Sequence, residues 1–219
     1  MTRSFSDELR SEAAPIWDKI FAHPFLREIQ SGTLLLDKFR YYVVQDFHYL
    51  EGFGRTVAIA LSKAPDTGTI RKLLRRMTTP VERPLHSQMF ELLEIDEAAV
   101  TEATPSPTNL AYINHMLTAA RLGGVGDAAA ALLPCAWTYH ELGTRLQAVD
   151  HPVFSRWVNA YSGGLLEEST AAWRGLVDRS GAEGGPYQRE SMRRTFLTSS
   201  RYEFLFWTMA YNQERWLFT

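Results

Sequence analysis

The chain has a single cysteine, Cys135, so no disulfide can close within its 219 residues. Oxidising export would bring such a fold no covalent benefit. It also lacks any run of apolar residues near the roughly 20 needed to span a bilayer. Its amino end, MTRSFSDELRSEAAPIW, carries acids early and has none of the uninterrupted apolar core of a signal peptide. An excess of one charge is missing too: 23 Lys and Arg are interspersed with 25 Asp and Glu, a formal net charge of -2. That balance leaves no electrostatic footprint for nucleic acid or for an anionic membrane. The one basic cluster, Arg71, Lys72, Arg75 and Arg76, falls along one side of a helix and reads as a solvated face. The expectation is a soluble, cytoplasmic protein that binds neither nucleic acid nor membrane.

Several signatures of chemistry are absent as well. There is no Gly-x-Gly-x-x-Gly, no phosphate loop and no Gly-x-Ser-x-Gly nucleophile elbow. No Cys/His zinc spacing occurs, nor the paired Glu-x-x-His motifs of a di-iron bundle. Glu82 and His86, four apart, could chelate, whereas His140 and Glu141 are adjacent and point apart. A metal enzyme is therefore not expected. His23, His48, His115 and His151 read as caps, turns or surface residues rather than catalysts.

What remains is a chain with 45% apolar and 12% aromatic residues, enough for a substantial core. Proline and glycine divide it into helical stretches. Ser6 and Asp7 suit a helix start, and Leu9, Ile16, Ile20 and Phe21 predict a first helix to Ala22, bent at Pro15. PFLREIQ follows with proline in its first turn and ends at Ser31-Gly32. Asp37–Lys63 is proline-free and apolar nearly all round, the mark of a helix in the middle of a bundle. Thr69–Leu93 is a further helix, kinked or divided by Pro80 and Pro84, and Ala103–Thr108 a loop. Asn109–Ala120 and Asp127–Ala148 come next, separated by Gly123-Gly124. Pro134 inside the second of these frees a carbonyl one turn earlier and should bend the helix. His151-Pro152 opens a helix to Tyr161, Gly163-Gly164 makes a turn, and Leu165–Arg179 is helical. Gly181–Pro186 reads as the clearest loop before an unusually aromatic last helix, Tyr187–Trp216. No alternating run is long enough for a strand. The fold class is all-α: one domain spanning residues 1–219, built as a multi-helix bundle.

The stretch LLPCAWTYHELG, Leu132–Gly143, places the thiol of Cys135 one helical turn before the phenol of Tyr139, on the same face. Two carboxylates stand where burial is costly. Asp46 lies in YYVVQDFHYLEGF, sharing a face with Tyr42, Tyr49 and Phe53. Glu203 is flanked by Tyr202, Phe204, Phe206 and Trp207. Thiol, carboxylates and the tyrosines Tyr49, Tyr112, Tyr139 and Tyr161 can line one cavity suited to a flat, polar heteroaromatic ligand. On pattern alone each carboxylate reads first as a structural group satisfied by a neighbouring tyrosine, arginine or backbone donor.

Taken together, the run Pro134-Cys135-Ala136-Trp137-Thr138-Tyr139, the segment YVVQDFHYL and the terminal RYEFLFWTMAY resemble the TenA/thiaminase II family, in order and over nearly the whole chain. The resemblance implies an all-helical haem-oxygenase-like fold, a homotetramer, and no haem, metal or organic cofactor. It implies hydrolysis at the aminopyrimidine side of thiamin and its breakdown products in thiamin salvage, with a small-molecule aminopyrimidine or thiamin as substrate. Carried over, Cys135 resembles the nucleophile and Glu203 the acid/base. Asp46 resembles the residue that binds the ring nitrogen and amino group. Tyr49, Tyr112, Tyr139, Tyr161 and Phe206 match the pocket wall. Two alternatives stay open: another enzyme on the same scaffold, and a regulator that binds aminopyrimidine without turning it over.

Overall fold

Twelve α-helices and no strand are found among the described residues, which are 3–78, 82–162 and 166–218 of the computed structural model. The first predicted helix is two: α1 (Phe5–Glu12) and α2 (Ala14–Phe21) meet at Ala13. Pro15 explains the break, because in the first turn of a new helix its missing N–H costs nothing. The cap of α1 is Ser4, whose hydroxyl accepts from Asp7 N, whereas Ser6 is buried and binds Asp178. Helix α3 (Pro24–Ser31) starts at His23, whose Nδ1 accepts from Phe25 N, and ends at Gly32 with φ +72°. Helix α4 (Leu36–Ser62) is the expected long buried helix.

Thr69–Leu93 is divided, into α5 (Thr67–Thr78) and α6 (Glu82–Leu92). Pro80 lies outside the described residues, and Pro84 sits in the first turn of α6. A short α7 (Glu97–Glu102), not read from the sequence, is capped by Asp96. Helix α8 (Pro107–Leu122) begins within the predicted loop, because Ser106 caps it and Pro107 is preset for the first turn. Helices α9 (Val125–Arg145) and α10 (Phe154–Ser162) follow, and Gly163-Gly164 lies outside the described residues.

The predicted loop at Gly181 is a correction: α11 (Glu167–Glu183) runs through it. A Cβ at Gly181 would lie 2.4 Å from the Phe5 ring, so the glycine is there to let α1 pack on a continuing helix. Helix α12 (Pro186–Asn212) stops four residues earlier than expected, at Gln213 in the left-handed region (φ 48°).

Helix α9 is the axis of the bundle. Its Ala128–Leu133 stretch is fully buried, and α4, α8, α10, α11 and α12 pack around it. The run of small alanines allows those neighbours a close approach. The helix passes through Pro134 without a break. On the outside, α1 is tied to α9, α11 and α12 by Arg10–Glu141, Asp7–Arg174 and Glu8–Arg189. The basic face of α5 is as expected, with Arg71, Lys72 and Arg75 exposed; Arg76 is less so and reaches Glu168 at 3.2 Å. No helix among the described residues is long and apolar enough to cross a membrane.

Candidate active site

Four helices meet around one cleft. Helix α4 supplies Asp46 and Tyr49, three residues apart and so on one face. Helix α8 supplies Tyr112, α9 Cys135 and Tyr139, and α12 Glu203 and Phe206, again at i and i+3. These seven side chains line about 160 Å³ of space, in slots too thin for a water molecule. The walls are aromatic: Tyr49 lies 5.0 Å from Tyr112 and 5.6 Å from Phe206, centroid to centroid. The rings touch one another, so a planar ring bound in the cleft would lie beside them and meet aromatic side chains on more than one side.

Tyr161 is the exception among the residues named from the sequence. It is buried but does not border the cleft; its ring packs 5.1 Å from Tyr139 and 5.1 Å from Trp157, one layer behind. The reason is that α10 reaches the site only through Tyr139. Tyr42, from α4, also stands behind Tyr139 and shares a 3.0 Å hydroxyl contact with it.

Glu203 is 3% exposed, yet both its oxygens are bound. Tyr112 donates to Oε1 at 2.5 Å, and the Thr138 hydroxyl lies 3.3 Å from Oε2. Thr138 can also donate to the Cys135 carbonyl at 3.1 Å. A hydroxyl has one proton, so Thr138 bonds the ionised carboxylate or, with Glu203 protonated, accepts from it and turns its own proton to the carbonyl. Burial raises the Glu203 pKa to about 7, against the pull of Tyr112 and Thr138 and with help from the charge of Asp46. A carboxyl with that value exchanges its proton readily at neutral pH. Burial also pushes Tyr42, Tyr49, Tyr112 and Tyr139 well above the usual phenol range, so all four remain protonated donors.

Asp46 has its own partner. His86 Nε2 stands 2.8 Å from Oδ2, both residues buried. Sequence spacing pairs His86 with Glu82 as chelators, but the Glu82 side chain lies outside the described residues and His86 turns to Asp46. Nothing in local spacing links two residues 40 apart on different helices. Thr138 likewise escapes the sequence reading, although a polar residue one turn from Cys135 on a buried helix is a legible signal. Of the other histidines, His23 and His151 are caps. His48 is buried, and His115 is half-buried against Ser199 Oγ, so neither is a surface residue. No group of three His, Cys, Asp or Glu that could hold a metal ion is found among the described residues.

Residues 10–213 match the profile of the TENA/THI-4/PQQC family. The chain belongs to this family. Its relatives include a protein of Bacillus subtilis strain 168, named aminopyrimidine aminohydrolase, 37% identical over 97% of this chain and 92% of its own length. A protein of the same name from Halalkalibacterium halodurans is 34% identical over 97% of this chain and 98% of its own. Among solved structures, a TenA homologue from P. horikoshii OT3 superposes with a TM-score of 0.86 at 32% identity, covering 96% of this chain and 99% of that one. The fold is thus the all-α, haem-oxygenase-like fold of the TenA proteins. In this TENA/THI-4/PQQC member the cleft joins four of the bundle's principal helices.

Proposed function

We propose that the chain is an aminopyrimidine aminohydrolase, a hydrolase of C–N bonds acting in thiamin salvage. It converts 4-amino-5-aminomethyl-2-methylpyrimidine to the 5-hydroxymethyl pyrimidine and ammonia, and cleaves thiamin to the same pyrimidine and the thiazole alcohol. The reading includes a single cytoplasmic domain over residues 1–219, working as a homotetramer. The observation that carries it is the convergence of a thiol, Cys135, a carboxyl held near neutrality, Glu203, and a second carboxylate, Asp46, on one aromatic-walled cleft. The names of the relatives supply the substrate class.

Breaking an exocyclic C–N bond beside an aromatic ring is hard because the departing electrons have no good destination. Addition of sulfur to the ring solves this. Cys135 forms a bond to a ring carbon as its proton passes to Glu203, and Glu203 delivers a proton to the ring. The amine, bound as its ammonium form, leaves as ammonia from the ring, which is no longer aromatic, and an exocyclic methylene remains. Water adds there and yields its surplus proton to the released ammonia, and the ring's added proton returns through Glu203 to the departing sulfur as the ring rearomatises. Cysteine suits this role as both nucleophile and leaving group. Asp46 accepts from the ring's amino group and protonated nitrogen, while Tyr49, Tyr112, Tyr139 and Phe206 hold its faces, with Tyr161 backing Tyr139.

The test is ammonia release from the aminomethyl pyrimidine by the wild-type protein and by Cys135→Ser, with thiamin cleavage alongside. Turnover abolished by the serine variant, in protein of unchanged melting temperature, is the expected result. No turnover of either substrate by folded wild-type protein overturns the hydrolase reading, and binding without turnover would instead make the protein a sensor.

A further inference from the structure

Asp46 does not face the cleft unaided, and its partner comes from a helix none of whose described side chains lines it. His86, on α6, is 4% exposed and Asp46, on α4, 6%. Nε2 and Oδ2 are 2.8 Å apart. Phe90, one turn along α6, lies parallel to the imidazole, 5.9 Å away with the planes 5° apart, and Phe47 tilts against it at 6.0 Å. The ring is therefore clamped between apolar neighbours, with one polar contact to make. Its other nitrogen, Nδ1, is buried and has no hydrogen-bond partner among the described residues. That asymmetry identifies the tautomer. An imidazolium would strand an N–H at Nδ1, a costly buried donor, whereas the neutral ring with its proton on Nε2 leaves only a lone pair there. Nε2–H thus donates to Asp46 Oδ2. The carboxylate is held by one oxygen, and Oδ1 and the remaining lone pair of Oδ2 are left for a ligand in the cleft that Asp46 lines.

We propose that His86 is a positioning residue that holds Asp46 as a pure hydrogen-bond acceptor, and that it thereby sets the preference of the site for a 4-aminopyrimidine over the matching 4-oxo ring. The inference rests on the proposed function for the identity of the ring and goes beyond it in naming what selects that ring. A 4-amino group and a protonated ring nitrogen both donate to a fixed carboxylate. The 4-oxo ring has an N–H at the neighbouring ring nitrogen, but its oxygen sets lone pairs against the carboxylate at the position where the amino group donates. A carboxyl left to rotate could take up a proton and donate to the oxo group, so losing the Nε2 donor relaxes the choice as well as the affinity. His86 touches no ligand in this scheme and acts only through Asp46.

The experiment is calorimetric titration of the intact protein with 4-amino-5-hydroxymethyl-2-methylpyrimidine and with its 4-oxo counterpart, beside the turnover assay. His86→Phe should weaken binding of the amino ring about ten-fold or more and narrow the amino-to-oxo ratio, while KM rises more than kcat falls. His86→Gln, whose side-chain nitrogen reaches the position of Nε2, should restore most of both; His86→Asn, which reaches only toward Nδ1, should not. In an Asp46→Ala background His86→Phe should add nothing. If the phenylalanine variant does not fold, the comparison of glutamine with asparagine carries the test. Equal affinities in those two overturn the proposal. So does an unchanged amino-to-oxo ratio in His86→Phe, or a further loss on the Asp46→Ala background. Failure of the functional reading looks different: wild-type protein then binds the amino ring selectively but turns nothing over. Wild-type protein that binds neither ring overturns both.

Discussion

The Tyr112 hydroxyl donates a 2.5 Å hydrogen bond to Oε1 of Glu203, joining α8 to α12 inside the bundle. The contact stabilises the ionised form of a carboxyl that burial drives toward the neutral one. Tyr112 therefore sets how far the Glu203 pKa rises, in addition to lending its ring to the wall of the cleft.

Tyr112→Phe keeps that ring and removes the donor. Burial is then less opposed, and the Glu203 pKa moves further above about 7. The limb of the kcat/KM profile that reports Glu203 should shift to higher pH by the same amount. A pH–rate series on wild-type and variant protein checks this. A limb that stays in place would mean that Tyr112 acts only as a wall.

Glu203 also ties stability to pH, and the sign follows from its direction of shift. Its pKa is about 7 folded and 4.5 at its ordinary value, so the folded chain holds the proton more tightly. The stability this contributes is complete below about 4.5 and is lost as pH rises through about 7, a change of roughly 3 kcal/mol. Glu203→Gln cannot titrate. Its melting temperature should gain on that of the wild type across this window, and its turnover should fall about a hundred-fold or more. Thermal melts at a series of pH values, with activity at one, separate the two effects.

These features are unevenly legible in the sequence. Glu203 and Asp46 stand out because a carboxylate inside an aromatic run has a cost, and that cost can be read locally. Cys135 stands out by being alone. The helices are visible wherever a breaker and a periodic apolar face agree, as at α3, α4 and α8. Where two signals compete, packing decides. Gly181 looks like a loop residue, yet its lack of a side chain serves the Phe5 ring on α1. Pro15 looks like a bend and is a start, since Ala13 lets the chain turn there. The pairing of His86 with Asp46 and the retreat of Tyr161 behind Tyr139 depend on how distant helices are set against each other, which no local pattern encodes.

Close approach of helices gives the last prediction, and two glycines give it opposite signs. In a helix interior, Gly→Ala ordinarily stabilises by about 1 kcal/mol, because alanine gives up less backbone freedom on folding. Gly175, in α11, has open space where a methyl group would stand, with nothing within 4 Å, so Gly175→Ala should raise the melting temperature. Gly143, in α9, faces the backbone of α10: a Cβ there would lie 2.1 Å from the Tyr161 carbonyl oxygen and 2.5 Å from its carbon. Backbone cannot rotate aside as a flexible side chain can, so α10 must move, at a cost of about 1–3 kcal/mol or more that exceeds the propensity gain. Tyr161 would move with it, and Tyr139 rests on Tyr161 at 5.1 Å. Gly143→Ala should therefore lower the melting temperature and raise KM together, whereas Gly175→Ala should raise the first and leave the second alone. Melting curves and steady-state kinetics on the pair check both. A Gly143→Ala protein that melts higher than wild type would show that α9 and α10 are not in contact at this point.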